Sequence, residues 1–167
     1  MDRYHLFRPA APTPDDEMCR CPNGTPIKLM GLSSLGSNPI HCLRCNLEVS
    51  PEGLGLSDSD IQTITHWGSI ERAIGWLELD SGAYEDWARA QLLDPRSSIN
   101  AEGLEAVRSL NRPDRRWYYS FFQPETDDDF EPRTTCPVCD GPLVQYKAGK
   151  FPQVLCEQDL VVLFGPS

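Results

Sequence analysis

The sequence predicts an α+β fold in which a helical insert separates two small β units, each tied together through cysteines. Three observations carry this expectation. The seven cysteines gather in two groups towards the two ends of the chain. A strand, an acidic loop and a cysteine turn recur in the same order at both ends. Between them the pattern changes from turn-rich to helically periodic. The expected segments are an amino-terminal β unit over 1–56, the helical insert over 57–111, and a strand with a carboxy-terminal β unit over 112–167.

The first unit opens on Tyr4-His5-Leu6-Phe7-Arg8-Pro9, which has strand character, and on the acidic loop Pro12-Thr13-Pro14-Asp15-Asp16-Glu17. Cys19-Arg20-Cys21 follows, and Cys42-Leu43-Arg44-Cys45 lies about 20 residues further on. Two thiols one or two residues apart can grip one ion from a tight turn. A second pair at the far end of a short hairpin completes a tetrahedron. An odd cysteine count in a reducing compartment argues against disulfides, and soft thiolates with no redox demand select zinc. The unit therefore reads as a zinc ribbon held by Cys19, Cys21, Cys42 and Cys45.

From residue 57 the pattern is helical. Ser57 is expected to cap a helix with Asp58 and Asp60 in its first turn, set against the macrodipole. Ile61, Ile64, Trp67, Ile70, Ile74 and Leu77 then form one apolar stripe. Gly68 is a potential break, since glycine costs about 1 kcal/mol against alanine inside a helix. Ser81 is expected to cap a second helix carrying Tyr84, Trp87, Ala88 and Leu92, stopped by Asp94-Pro95. Asn100 is expected to cap a third, carrying Leu104, Val107 and Leu110. The tryptophans are expected in the core, except Trp76. It falls between the stripe positions Ile74 and Leu77 and is the candidate exposed anchor. The aromatic run from Arg115 to Phe122 reads as a strand, expected to share a sheet with the one around Tyr4.

The second unit echoes the first. Tyr119-Ser120-Phe121-Phe122-Gln123-Pro124 matches the opening segment, and Pro124-Glu125-Thr126-Asp127-Asp128-Asp129 matches its acidic loop. Cys136-Pro137 falls at the same offset from Cys21-Pro22. Cys42 then corresponds to Cys156, and Cys45 to Asp159. Cys136, Cys139 and Cys156 supply three thiolates, and carboxylate oxygen is an accepted zinc ligand, so Asp159 is the expected fourth. His5, His41, His66 or a ribbon that has lost its metal are the alternatives. Short strands are expected over 143–147, 154–155 and 160–164. Two zinc ions are expected in all.

Charge and motif content exclude several function classes. Lys and Arg number 15 against 25 Asp and Glu, for a net charge of −10. Such a chain is repelled by phosphate backbones and anionic membranes unless it carries a local basic patch. No apolar run approaches the ~20 residues of a spanning helix. The opening Met-Asp-Arg-Tyr-His lacks the basic and apolar regions of a secretion signal, so a cytoplasmic location is expected. There is no Gly-x-Ser-x-Gly elbow, P-loop, dinucleotide fingerprint or His-Glu-x-x-His. With its cysteines engaged as ligands in closed structural sites, the chain is not expected to be an enzyme.

The run from Ile70-Glu71-Arg72-Ala73-Ile74-Gly75-Trp76-Leu77 through Leu93-Asp94-Pro95-Arg96-Ser97-Ser98 and Asn100-Ala101-Glu102-Gly103-Leu104 carries a resemblance. With Trp117-Tyr118-Tyr119-Ser120-Phe121-Phe122 and Cys136-Pro137-Val138-Cys139-Asp140-Gly141, it resembles an uncharacterised bacterial zinc-ribbon family whose suggested role is nucleic-acid binding. It is also similar to double-CxxCG proteins, some of which are immunity proteins against contact-delivered toxins. The similarity covers roughly 57–164. The chain departs from those patterns at Cys156 with Asp159, and at Cys19-Arg20-Cys21.

Acidity and resemblance together point to a zinc-stabilised protein-interaction module, most concretely an immunity or inhibitor protein of a cationic toxin effector. Its partner-binding residues would be Asp15, Asp16, Glu17, Trp76, Asp127, Asp128 and Asp129, facing a basic protein. Nucleic-acid binding is the alternative, carried by Arg112, Arg115 and Arg116 beside Trp117, Tyr118 and Tyr119.

Overall fold

The computed structural model describes residues 3–5, 13–31, 38–123 and 133–165. The fold is α+β. Six strands, β1 (Ile27–Met30), β2 (Ile40–Cys42), β3 (Trp117–Ser120), β4 (Val144–Gln145), β5 (Gln153–Cys156) and β6 (Val161–Phe164), form one sheet in the order β2-β1-β3-β6-β5-β4. β3 runs parallel to both β1 and β6, and the remaining pairings are antiparallel. The antiparallel strands of each cysteine group therefore lie on opposite flanks of one shared strand.

The partner of β3 differs from expectation. Tyr4 lies in a turn with its ring in the core, and residues 6–12 fall outside the described residues. β1 takes the place beside β3. Its Ile27 and Leu29 alternate into the core in register with Trp117 and Tyr119, so pairing aligns two apolar faces.

Three helices fill the insert: α1 (Asp58–Asp80), α2 (Glu85–Leu93) and α3 (Ser98–Leu110). Ser57 and Asp60 form a reciprocal capping box at the start of α1. α1 runs unbroken through Gly68, which is buried, so tertiary packing overrides the local glycine cost. Ser81 does not cap α2; its hydroxyl closes α1 by donating to the Leu77 carbonyl. α2 starts without a side-chain cap. α3 is capped by Ser97, three residues before the expected cap. Asn100 is buried instead. Its amide nitrogen lies 2.8–3.2 Å from the carbonyls of Gln91, Leu92 and Asp94, and its oxygen accepts the Tyr119 hydroxyl at 2.8 Å. One side chain thus reaches two of the last carbonyls of α2 and ties both helices to β3.

α1 and α3 contribute to a single core against one face of the sheet. Trp67 meets Tyr119 edge-on at 5.8 Å, and Gly103 of α3 sits against both. A Cβ on Gly103 would lie 2.2 Å from the Tyr119 ring and 2.8 Å from Trp67 Nε1, so only glycine permits this approach. Trp67 and Trp117 are core residues as expected, but Trp76 and Trp87 are half exposed, and for Trp87 this corrects the expectation. On the opposite face Glu48, His41, Lys28 and Tyr118 stand side by side across neighbouring segments, all buried.

Candidate metal centres

The fold brings together the eight residues predicted as ligands. Cys19, Cys21, Cys42 and Cys45 form one group; Cys136, Cys139, Cys156 and Asp159 form the other. Within each, the ligand atoms all lie within 4.8 Å of one another. Cys42 ends β2 and Cys156 ends β5, so each sheet flank delivers a sulfur from the same place. The loops supplying the other pairs are fixed by backbone bonds. Cys19 N–H donates to Glu48 at 2.7 Å, and Cys136 N–H donates to Gly141 at 2.8 Å.

The second group fits a tetrahedral zinc ion closely. Zinc–sulfur bonds of about 2.3 Å put adjacent sulfurs about 3.8 Å apart, and a zinc–oxygen bond of about 2.1 Å puts oxygen about 3.6 Å from sulfur. Cys139 and Cys156 sulfurs are 3.8 Å apart, and Asp159 Oδ2 lies 3.4 Å from Cys136 and 3.5 Å from Cys156. The carboxylate oxygen occupies the corner a fourth thiolate would take. The histidines weighed as alternatives lie elsewhere. His41 Nδ1 is 3.0 Å from the Asn46 carbonyl, His66 faces Glu102, and His5 is in an exposed turn.

The backbone repeats the correspondence. Asn46, Asp140 and Leu160 adopt left-handed φ values of 63°, 57° and 59°. Each directly follows the fourth residue of a ligand turn: Cys42–Cys45, Cys136–Cys139 and Cys156–Asp159. The bend lets Asn46 N–H reach the Cys42 carbonyl at 2.9 Å and Asp140 N–H reach that of Cys136 at 3.0 Å. For leucine the conformation costs roughly 1–2 kcal/mol, so the turn after Asp159 keeps a ligand-holding shape against its own side chain. Cys19-Arg20-Cys21 is a residue shorter; there Cys21 N–H points at the Cys19 sulfur from 3.4 Å.

The groups at equivalent positions shift in the same direction. Burial pushes the Cys136 thiol up to about 12 and drives Cys19 higher still. Cys45 moves the other way: burial raises it, but the Leu47 N–H and the neighbouring thiols outweigh this and hold it below its ordinary value. Asp159 behaves alike, its burial outweighed by the thiols of Cys139, Cys136 and Cys156. Cys45 and Asp159 are the residues the repeat aligns. A divalent ion would displace the protons of the thiols, which couples metal binding to folding.

The two groups are consistent with two zinc sites, each a complete four-ligand set of the structural kind. The second is buried apart from Cys139. The first opens at Cys19 and Cys21 onto a cleft of about 170 Å³, whose lining includes Asn23, Thr25, Ser50 and Arg115.

The other candidate residues are dispersed. Asp15, Asp16 and Glu17 are exposed in a turn, and Trp76 is exposed on α1. Asp127, Asp128 and Asp129 lie outside the described residues. Trp117, Tyr118 and Tyr119 are buried, Arg116 pairs with Glu157 at 2.9 Å, and Arg112 lies 3.4 Å from Asp60. Sequence reasoning missed the exposure of Leu79, Tyr84 and Trp87; their acidic neighbours Asp80, Glu85 and Asp86 were the available signal. No described helix is long and apolar enough to cross a membrane. No family model, curated protein or solved structure matches the chain, so the resemblance over 57–164 rests on those residues alone.

Proposed function

We propose that this chain is a non-catalytic, zinc-stabilised acidic module that binds a basic protein in the cytoplasm, most concretely as an immunity or inhibitor protein of a cationic toxin effector. The observation that carries this reading is the completeness of both ligand sets. Four protein ligands around each ion leave no open position for water or substrate, so the metals serve the fold and the surface does the work. That surface belongs to a chain of net charge −10, and metal-bound thiolates add further negative charge. Such a field speeds encounter with a cationic partner and repels nucleic acid. Seven free cysteines accord with a reducing compartment.

The nucleic-acid reading needs aromatic faces open to stacking, and the rings beside its arginines are buried. The metal-loaded chain, immobilised and exposed to lysate of its host, should retain a basic protein that salt releases. A gel shift with single- and double-stranded DNA and RNA should show no retardation at moderate salt. Capture of nucleic acid alone, or of nothing, would overturn the proposal.

A further inference from the structure

The end of the helical pair α1–α2, around the connection 81–84, is an unusual piece of surface. Trp76 and Leu79 are 51% exposed, Tyr84 61% and Trp87 51%. These are half of the exposed large apolar side chains among the described residues, within one short stretch of sequence. Between Trp76 and Trp87 stand Glu78, Asp80, Glu85 and Asp86, and no lysine, arginine or histidine. The nearest cation on α2, Arg89, is committed to Glu78 at 3.1 Å. α1 also ends without a basic residue in its last turn, so the negative end of its dipole adds to these carboxylates uncompensated.

The turn is held in shape. Gly82 adopts φ 62°, its N–H donates to Glu85 at 2.8 Å, and Ser81 bonds back to Leu77. An aromatic, acidic surface on a fixed hairpin loses little entropy on binding. Indole and phenol faces attract guanidinium and ammonium groups, and adjacent carboxylates pair with them. A second copy of the chain is disfavoured here, because like-charged faces would meet.

We propose that the turn end of α1–α2 is the docking surface for an arginine- or lysine-rich segment of the partner protein, which contacts the exposed aromatic rings there and pairs with Asp80, Glu85 and Asp86. This rests on the basic-partner reading above and assigns it a place distinct from the turn at Asp15–Glu17.

The test is titration of the full, metal-loaded, nitrogen-15-labelled chain with a nona-arginine peptide at low salt, followed through the four indole N–H resonances. The side chains of Trp76 and Trp87 should shift, while Trp67 and Trp117 stay still as internal references. Trp76→Ser with Trp87→Ser should weaken binding about tenfold or more, whereas Asp15→Asn with Asp16→Asn should leave it nearly unchanged. Binding that moves only amides at 15–17 or 127–129 would overturn this surface and leave the basic-partner reading standing. No binding at all would sink both. Shifts of Trp76 and Trp87 that track chain concentration without peptide would overturn the proposal in favour of self-association.

Discussion

Lys28 is 1% exposed on β1, with its ammonium 5.0 Å from the centre of the Phe164 ring. Burial pushes it down from its ordinary 10.5 to about 8, with the Cys42 thiolate pulling the other way. Below pH 8 the folded and unfolded chains both carry the proton, and the cost of burying it is present in full. Above about 10.5 neither carries it. The Lys28 contribution to stability therefore rises with pH between those values. Lys28→Met should stabilise the protein near pH 7 by about 2 kcal/mol, less than the full shift implies because the Phe164 ring attracts the ammonium. Urea titrations of both proteins at pH 7 and pH 10 check this: the difference should shrink at the higher pH, and an equal difference at both would refute it. Gly103 poses an opposite problem of sign. Alanine gains roughly 1 kcal/mol of helix propensity, yet its Cβ would enter the Tyr119 ring. The steric cost should win, and Gly103→Ala should destabilise by about 2–3 kcal/mol, read as a lower Tm in far-ultraviolet circular dichroism.

The ligand turns are the elements on which metal chemistry depends, and the two sites differ by one donor. Exchanging a soft thiolate for a carboxylate weakens the second site for zinc. Graded addition of a chelator should therefore empty it first, and Asp159→Ala should lower its affinity by about 100-fold or more. With cobalt(II) as a reporter, Asp159→Cys should raise the thiolate charge-transfer absorbance towards twice that of a four-thiolate site. An unchanged band would show that Asp159 is not a ligand. Most of this was legible in the sequence, because ligand spacing is a local property of the chain and the repeat carries Cys45 onto Asp159. The helix spans were legible for the same reason: the stripe from Ile61 to Leu77 and the stop at Asp94-Pro95 need no tertiary information. The caps were less so. Ser81, Ser97 and Asn100 are all competent caps, and only burial makes Asn100 an internal clamp. The strand pairing across the insert was not legible. Joining β1 to β3 closes a contact across the whole insert, and no local pattern distinguishes β1 from the segment around Tyr4 as the partner.

At the scale of the molecule, one sheet makes the two metal sites and the helices interdependent. β1 is hydrogen-bonded along its length to β3, while Ile27 and Leu29 pack in the same core as Trp67 and Val107. Cys42 lies opposite Ile27 on β2, so the first site pins the strand pair on the same face as that core. Small β units have too little apolar interior to stand alone, and here the metal supplies folding free energy directly. Losing the first site should therefore do more than fray an edge. Releasing β1 exposes one flank of β3, opens the contact of Tyr119 with Trp67, and withdraws support from α1 and α3. Cys42→Ser, or a chelator strong enough to strip both sites, should lower helical circular dichroism and the near-ultraviolet signal of the buried tryptophans together, in one transition. Were the cysteine units independent attachments, the strand signal would vanish while the helical signal and the environments of Trp67 and Trp117 stayed as they are. Survival of the helices after metal removal would thus separate a shared sheet from a helical body with two appended ribbons, and would count against the coupling derived from β3.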